Sequence, residues 1–138
     1  MHSRWLFGTI LILPACAQQP YAASTGTRTS VAPEQALECV KRELPKLGYK
    51  QSSIDAAEHR ITANKIDSEA RRPDVQFRRL INRMEVEIGP EAGGQTSIDV
   101  RGRTFAEYTT QRGPTEIEEK ASAEVNDAAQ KLLAACRG

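Results

Sequence analysis

Leu80-Ile81-Asn82-Arg83-Met84-Glu85-Val86-Glu87-Ile88, followed by Gly89-Pro90-Glu91-Ala92-Gly93-Gly94 and then Ile98-Asp99-Val100-Arg101, is the stretch that decides the fold. Leu80, Met84, Val86 and Ile88 alternate with Arg83, Glu85 and Glu87, and Ile98 and Val100 alternate with Asp99 and Arg101. A period of two puts the apolar side chains on one face and the charges on the other. The interval rich in glycine and proline between them reads as a turn. The result is an antiparallel hairpin with one dry face, and that face needs a covering layer.

Both flanks supply a helix for that purpose. Ala36, Leu37, Val40, Leu44 and Leu47 recur at helical spacing over Pro33 to Leu47, and Gly48 stands where a left-handed C-terminal cap is needed. Pro45 argues for a bend or an early stop near the end of this helix. Tyr49 to Ser53 and Arg60 to Lys65 read as short strands separated by a turn around Asp55 to His59. After the hairpin, Thr115 to Glu118 matches a capping box behind Gly113 and Pro114, and Ile117, Ala121, Val125, Ala128, Leu132 and Cys136 form a stripe down a final helix. No βαβ alternation calls for a parallel sheet. The expected fold is therefore α+β, a four-stranded antiparallel sheet with an N-terminal and a C-terminal helix packed on one face, in a single domain over residues 33–138.

Ahead of this domain, Ala17 to Ala32 is built from Gln, Ser, Thr, Gly and Pro with few large apolar residues and no convincing period. It reads as a flexible leash, with a root-mean-square reach of roughly 20–25 Å. Further upstream, Arg4 and the amino terminus precede an apolar run, Trp5 to Leu13, and the junction Leu13-Pro14-Ala15-Cys16. That run is shorter than the roughly 20 apolar residues a membrane-spanning helix needs. The pattern resembles the lipobox-type signal of bacterial lipoproteins, with Ala15 at the cut and Cys16 as the acylated residue. The resemblance implies residues 1–15 as signal peptide, residues 16–32 as acylated cysteine and tether, and attachment to a lipid bilayer through Cys16. Ala17 after the cysteine, by the same resemblance, implies the outer membrane, facing the periplasm. An ordinary secretory signal cut near Ala15 or Ala17 is the alternative, and it also exports the domain.

Charge and cysteine content narrow the function classes. The chain has 19 Lys and Arg against 18 Asp and Glu, and loss of Arg4 with the signal leaves 18 against 18. Global attraction to nucleic acid is not expected from a neutral domain. With Cys16 lipidated, Cys39 and Cys136 form an even remainder near the buried stripes of the two helices, and in an exported chain this favours a disulfide. In the loop-entropy picture such a long closure contributes roughly 4–5 kcal/mol. Two buried reduced thiols are the other reading. The spacing is unlike C-x-x-C, and His59 is the one histidine left after the signal, so no metal site or cofactor is expected. His59 reads as an exposed turn residue. Gly93-Gly94 is not followed by a helix and is a turn rather than a phosphate cradle. Glu85 and Glu87 share the charged strand face with Arg83, with Arg101 and Arg103 as cross-strand partners.

One uneven feature stands out: Arg71, Arg72, Arg78, Arg79 and Arg83 concentrate positive charge, with Glu69 and Asp74 partly balancing it. Arginine recognises phosphate and carboxylate well, so these five residues are a candidate contact for anionic lipid, cell-wall polymer or an acidic protein. An ordinary solvated loop is the other reading. The region lacks the interleaved aromatics of a nucleic-acid surface. The expected function is that of a membrane-anchored envelope lipoprotein with a non-catalytic accessory or interaction role and an envelope protein or polymer as partner. In broad architecture it is similar to the small lipoprotein domains of outer-membrane assembly complexes. The alternative is a binding module for a small or polymeric envelope ligand, using a pocket between helix and sheet or the arginine-rich edge. A hydrolase with carboxylate chemistry is a third class.

Overall fold

The hairpin read from residues 80–101 is longer than its apolar alternation. A computed structural model describes residues 21–138; the signal, Cys16 and residues 17–20 of the expected leash lie outside the described residues. The hairpin consists of β4 (Phe77–Pro90) and β5 (Thr96–Thr110), paired from Phe77 opposite Tyr108 to Pro90 opposite Thr96. A single 3-10 turn, Ala92–Gly94, closes it, with Gly93 and Gly94 at φ 76° and 73° where a side chain would be strained. β3 (Arg60–Asp67) pairs with β4, and β2 (Lys50–Asp55) pairs with β3.

The sheet has six strands rather than the expected four, and both additions lie on the free edge of β5. β1 (Ala23–Thr29) covers the first half, from Ala23 opposite Gly102 to Thr29 opposite Thr96. β6 (Gly113–Glu119) covers the second half, from Gly113 opposite Thr110 to Glu119 opposite Thr104. Part of the expected leash is thus a strand. Its Thr25, Thr27 and Thr29 are β-branched and alternate with Ser24, Gly26 and Arg28, a period of two written in polar residues. The expected capping box at Thr115 to Glu118 is likewise strand β6. The physical reason is the same in both cases: β5 runs on past its apolar segment, and its second edge carries backbone groups that need partners.

The helices match the sequence reading more closely. α1 (Pro33–Lys46) starts with proline at its first turn, buries Ala36, Leu37, Val40 and Leu44, and tolerates Pro45 in its last turn. Gly48 at φ 85° reverses the chain, with its N–H donating to the Pro45 carbonyl and that of Tyr49 to the Leu44 carbonyl, each at 3.0 Å. α2 (Ala123–Cys136) starts later than expected. Its cap is Ser122, whose Oγ accepts from the Val125 N–H at 3.1 Å.

Both helices lie on one sheet face and close a core that includes Val40, Leu44, Ile61, Met84, Val86, Ile98, Val125 and Leu132, all fully buried. Cys39 of α1 and Cys136 of α2 sit at disulfide distance, with Cα atoms 5.7 Å apart and a sequence separation of 97. α2 packs closely on the sheet at Gly102, where an added Cβ would stand 3.1 Å from Cγ2 of Val125 and 3.4 Å from its Cγ1. A valine there has no room without lifting the helix. Gly102→Val should therefore destabilise the domain by about 1–3 kcal/mol, the usual range for an overpacked core; an unchanged denaturant midpoint would show that α2 does not press on the sheet at this point.

Candidate functional site

Three polar arrangements among the described residues differ in how completely their groups are satisfied. The first lies where the N-terminus of α2 meets the sheet. Glu124 Oε2 accepts from Tyr49 Oη at 2.9 Å and from Asn82 Nδ2 at 2.7 Å, while Oε1 accepts from Lys65 Nζ at 2.8 Å. Asn82 Oδ1 in turn accepts from Thr104 Oγ1 and Ser122 Oγ, and the Ser122 N–H donates to Thr104 Oγ1. Asn82, Thr104 and Tyr49 are buried, and this node satisfies them. Sequence reasoning missed it. Its signal was Asn82 standing on the apolar side of β4, between Leu80 and Met84, where a buried polar group requires a partner.

Tyr49 is 1% exposed, and burial first, then the Glu124 charge and the hydrogen bond to it, push its phenol well above the ordinary 10.0. A neutral phenol favoured in the folded state contributes stability that is complete below the unfolded pKa and is lost as pH rises above it. Unfolding free energy should accordingly fall as pH climbs above about 10, and Tyr49→Phe should flatten that alkaline slope in denaturant titrations; an equal slope in both proteins would exclude Tyr49 as its source.

The second arrangement is a ladder on the outer sheet face. Arg83 donates to Asn64 Oδ1 at 2.9 Å and to Glu116 Oε2 at 3.0 Å. Arg103, directly opposite Arg83 in the register, grips both oxygens of Glu118 at 2.9 and 2.7 Å and reaches Glu85 at 3.2 Å. The two guanidinium carbons stand 4.4 and 5.1 Å from the Phe105 ring centroid, so cation–π contact covers an otherwise exposed aromatic. Glu107 on the same face, only 9% exposed, is held by Arg79. The Arg103 hydrogen bonds hold the Glu118 carboxyl below the usual carboxylate range, and Arg72 does the same for Glu119.

The five arginines singled out by sequence do not converge. Arg79 and Arg83 lie on the outer face, each on a carboxylate. Arg72 folds over the opposite side, pairs with Glu119 and stacks 5.0 Å from the Phe77 ring. Arg71 donates to the backbone carbonyls of Ser68 and Ala70, and Arg78 to Thr109 Oγ1. Among the described residues only Arg71 and Arg78 of the five lack a carboxylate partner. His59 is in the expected turn, at φ 47°, but is half-buried rather than exposed, with Nε2 3.8 Å from Glu34 Oε1. Glu87 is paired with Arg60 at 2.9 Å.

The third arrangement is a pocket of about 430 Å³ on the outer face, lined by Ser24, Gly26, Glu85, Glu87, Asp99 and Arg101 among others. Two cross-strand rows build it: Ser24, Arg101 and Glu85 in one, Gly26, Asp99 and Glu87 in the next. Gly26 makes the hollow, since a Cβ there would meet Asp99 Oδ1 at 2.4 Å. Asp99 and Arg101 have no ion-pair or hydrogen-bond partner among the described side chains, so this is the arrangement with recognition capacity left over. The space between helices and sheet, by contrast, is filled by core side chains. Among the described residues no helix is long and apolar enough to cross a membrane, and no three His, Cys, Asp or Glu side chains gather as metal ligands.

No known protein family and no curated protein matches this chain. Among solved structures it is similar to the crystal structure of Ara h 8.0201, at 16% identity over 85% of this chain and 95% of that one, with a TM-score of 0.43.

Proposed function

We propose that this chain is a lipoprotein of the bacterial envelope, anchored through an acylated Cys16 and acting as a non-catalytic accessory or interaction domain, at the outer membrane on its periplasmic side. The observation that carries the reading is the placement of Cys39 and Cys136 at disulfide distance, Cα to Cα 5.7 Å. Disulfides belong to oxidising, exported settings. The third cysteine stands at a lipobox-like junction, so each of the three then has a role outside the cytoplasm. The non-catalytic part is supported by the carboxylates: Glu85 and Glu87 are each held by an arginine. Cys16→Ser is expected to turn a membrane-associated protein into a soluble or unprocessed one, and mass spectrometry of the mature amino terminus should find acyl chains on Cys16. A terminus starting beyond residue 16 without lipid would sink the anchor.

A second reading, a binding module for a small or polymeric envelope ligand, is favoured by the outer-face pocket and its unpartnered Asp99 and Arg101. The two surfaces are separable by capture from a crosslinked envelope. Asp99→Asn with Arg101→Gln should lose the captured partner if the pocket is the contact, whereas Arg71→Gln with Arg78→Gln should lose it if the basic loop is. All four side chains are exposed, and surface changes of this kind usually alter stability by about 0.5 kcal/mol or less. Unchanged capture by both variants would move the contact elsewhere on the domain.

A further inference from the structure

Strand β1 changes what a lipid on Cys16 would do to the domain. The chain is fixed in place from Tyr21 onward, because the Tyr21 carbonyl accepts from the Ala121 N–H at 2.8 Å and β1 follows directly. Only the steps from Cys16 to Tyr21 remain as tether, and at ~3.3–3.6 Å per residue they span at most roughly 17 Å. A freely coiled segment of that length reaches only about 12 Å on average. Such a tether cannot let a domain turn freely above a bilayer, since β5 alone is 15 residues and so roughly 50 Å long.

The exit point lies at the seam between β1 and β6, on the open edge of the sheet. Two of the large apolar residues left exposed belong to this neighbourhood: Tyr21, 62% exposed, and Ile117 of β6, 54% exposed. Lys120, also exposed, follows β6 and has no carboxylate partner among the described residues. The glutamates of β6 would repel an anionic surface, but Glu116, Glu118 and Glu119 are each paired with an arginine, Arg83 of β4, Arg103 of β5 and Arg72 of the β3–β4 connection respectively. An aromatic ring with a polar tip, an aliphatic side chain, a free ammonium and neutralised acids suit the interfacial layer of a membrane.

We propose that the β1/β6 edge, centred on Tyr21, Ile117 and Lys120, is the surface this domain turns toward the lipid bilayer that anchors it, leaving the β2 edge directed away and the outer-face pocket, which shares Ser24 and Gly26 of β1, opening sideways. The inference rests on the lipid anchor of Cys16. Trp5 is the only tryptophan of the chain and belongs to the signal, so mature variants carrying one new tryptophan report a single position. The test uses the full lipidated protein in vesicles of phosphatidylethanolamine and phosphatidylglycerol with brominated acyl chains, which quench tryptophan at short range. Ile117→Trp and Lys120→Trp are compared with Ile54→Trp on the β2 edge, four strand spacings or roughly 19 Å across the sheet from β6. Quenching at 117 and 120 should exceed that at 54 by roughly threefold or more, as expected for a side chain in the interfacial layer. Variants are checked for a native thermal transition, and either of the two β6-side positions suffices. Protein that floats with the vesicles but quenches equally at all three positions overturns the orientation and leaves the anchor standing; protein that does not float overturns the anchor itself and the orientation with it.

Discussion

Pairing of β5 along both of its edges is the constraint on which the rest of the structure depends. A strand of 15 residues exposes a long row of N–H and C=O groups on each side, and each row must find partners. β4 serves one edge from end to end. No single segment serves the other, so β1 and β6, drawn from opposite ends of the domain, lie head to tail along it. Their seam falls beside Arg103, between Gly102 opposite Ala23 and Thr104 opposite Glu119. The same place carries the Tyr21–Ala121 backbone bond, the close approach of Val125 to Gly102 and the Thr104 end of the Glu124 node. The helix α2, the sheet and the start of β1 are therefore locked at one latitude of the molecule.

The two additions are held by different physics. β1 follows the helices and contributes Thr29 to the buried set, so it shares in the core. β6 lies beyond them. Its Glu116, Glu118 and Glu119 reach inward to arginines, and its Ile117 stays outside. Exposed ion pairs contribute only about 0–1 kcal/mol each, so the backbone ladder does most of the work there. Because Glu118 and Glu119 are held below the ordinary 4.5, their contribution is present above that value and declines as pH falls through the lowered range.

The hairpin and the two helices were legible because burial of one face imposes a period, and Met84, Val86 and Ile88 or Ala36, Val40 and Leu44 repeat it in apolar residues. The cysteine pair was legible because both residues fell beside those stripes. β1 was not, since its period is carried by threonines that a hydrophobic pattern does not register. Thr115 to Glu118 misled for a related reason: a capping box is a local signature, and strand pairing with β5 is a long-range demand that overrode it. The arginines are close in sequence, but Arg71 and Arg72 belong to the connection before β4 and Arg78, Arg79 and Arg83 to β4 itself, where a bulge between Phe77 and Arg79 breaks the alternation. Ser24, Gly26, Asp99 and Arg101 come together only through the β1–β5 register, and no linear pattern announces such a meeting.

The order in which the chain emerges gives β1 one further consequence. The amino end appears first, so the partner of Thr25, Val100, arrives only after α1, β2, β3 and β4 have been made. Cys39 waits longer still, for a residue 97 positions later. Contacts of such sequence separation close slowly, and an unpaired strand is in the meantime a template for association with other chains. Ala-Ser-Thr-Gly-Thr-Arg-Thr is suited to that delay. It has enough β-branching to join the sheet once β5 exists, and too little apolar surface, interrupted by Gly26 and Arg28, to aggregate before then.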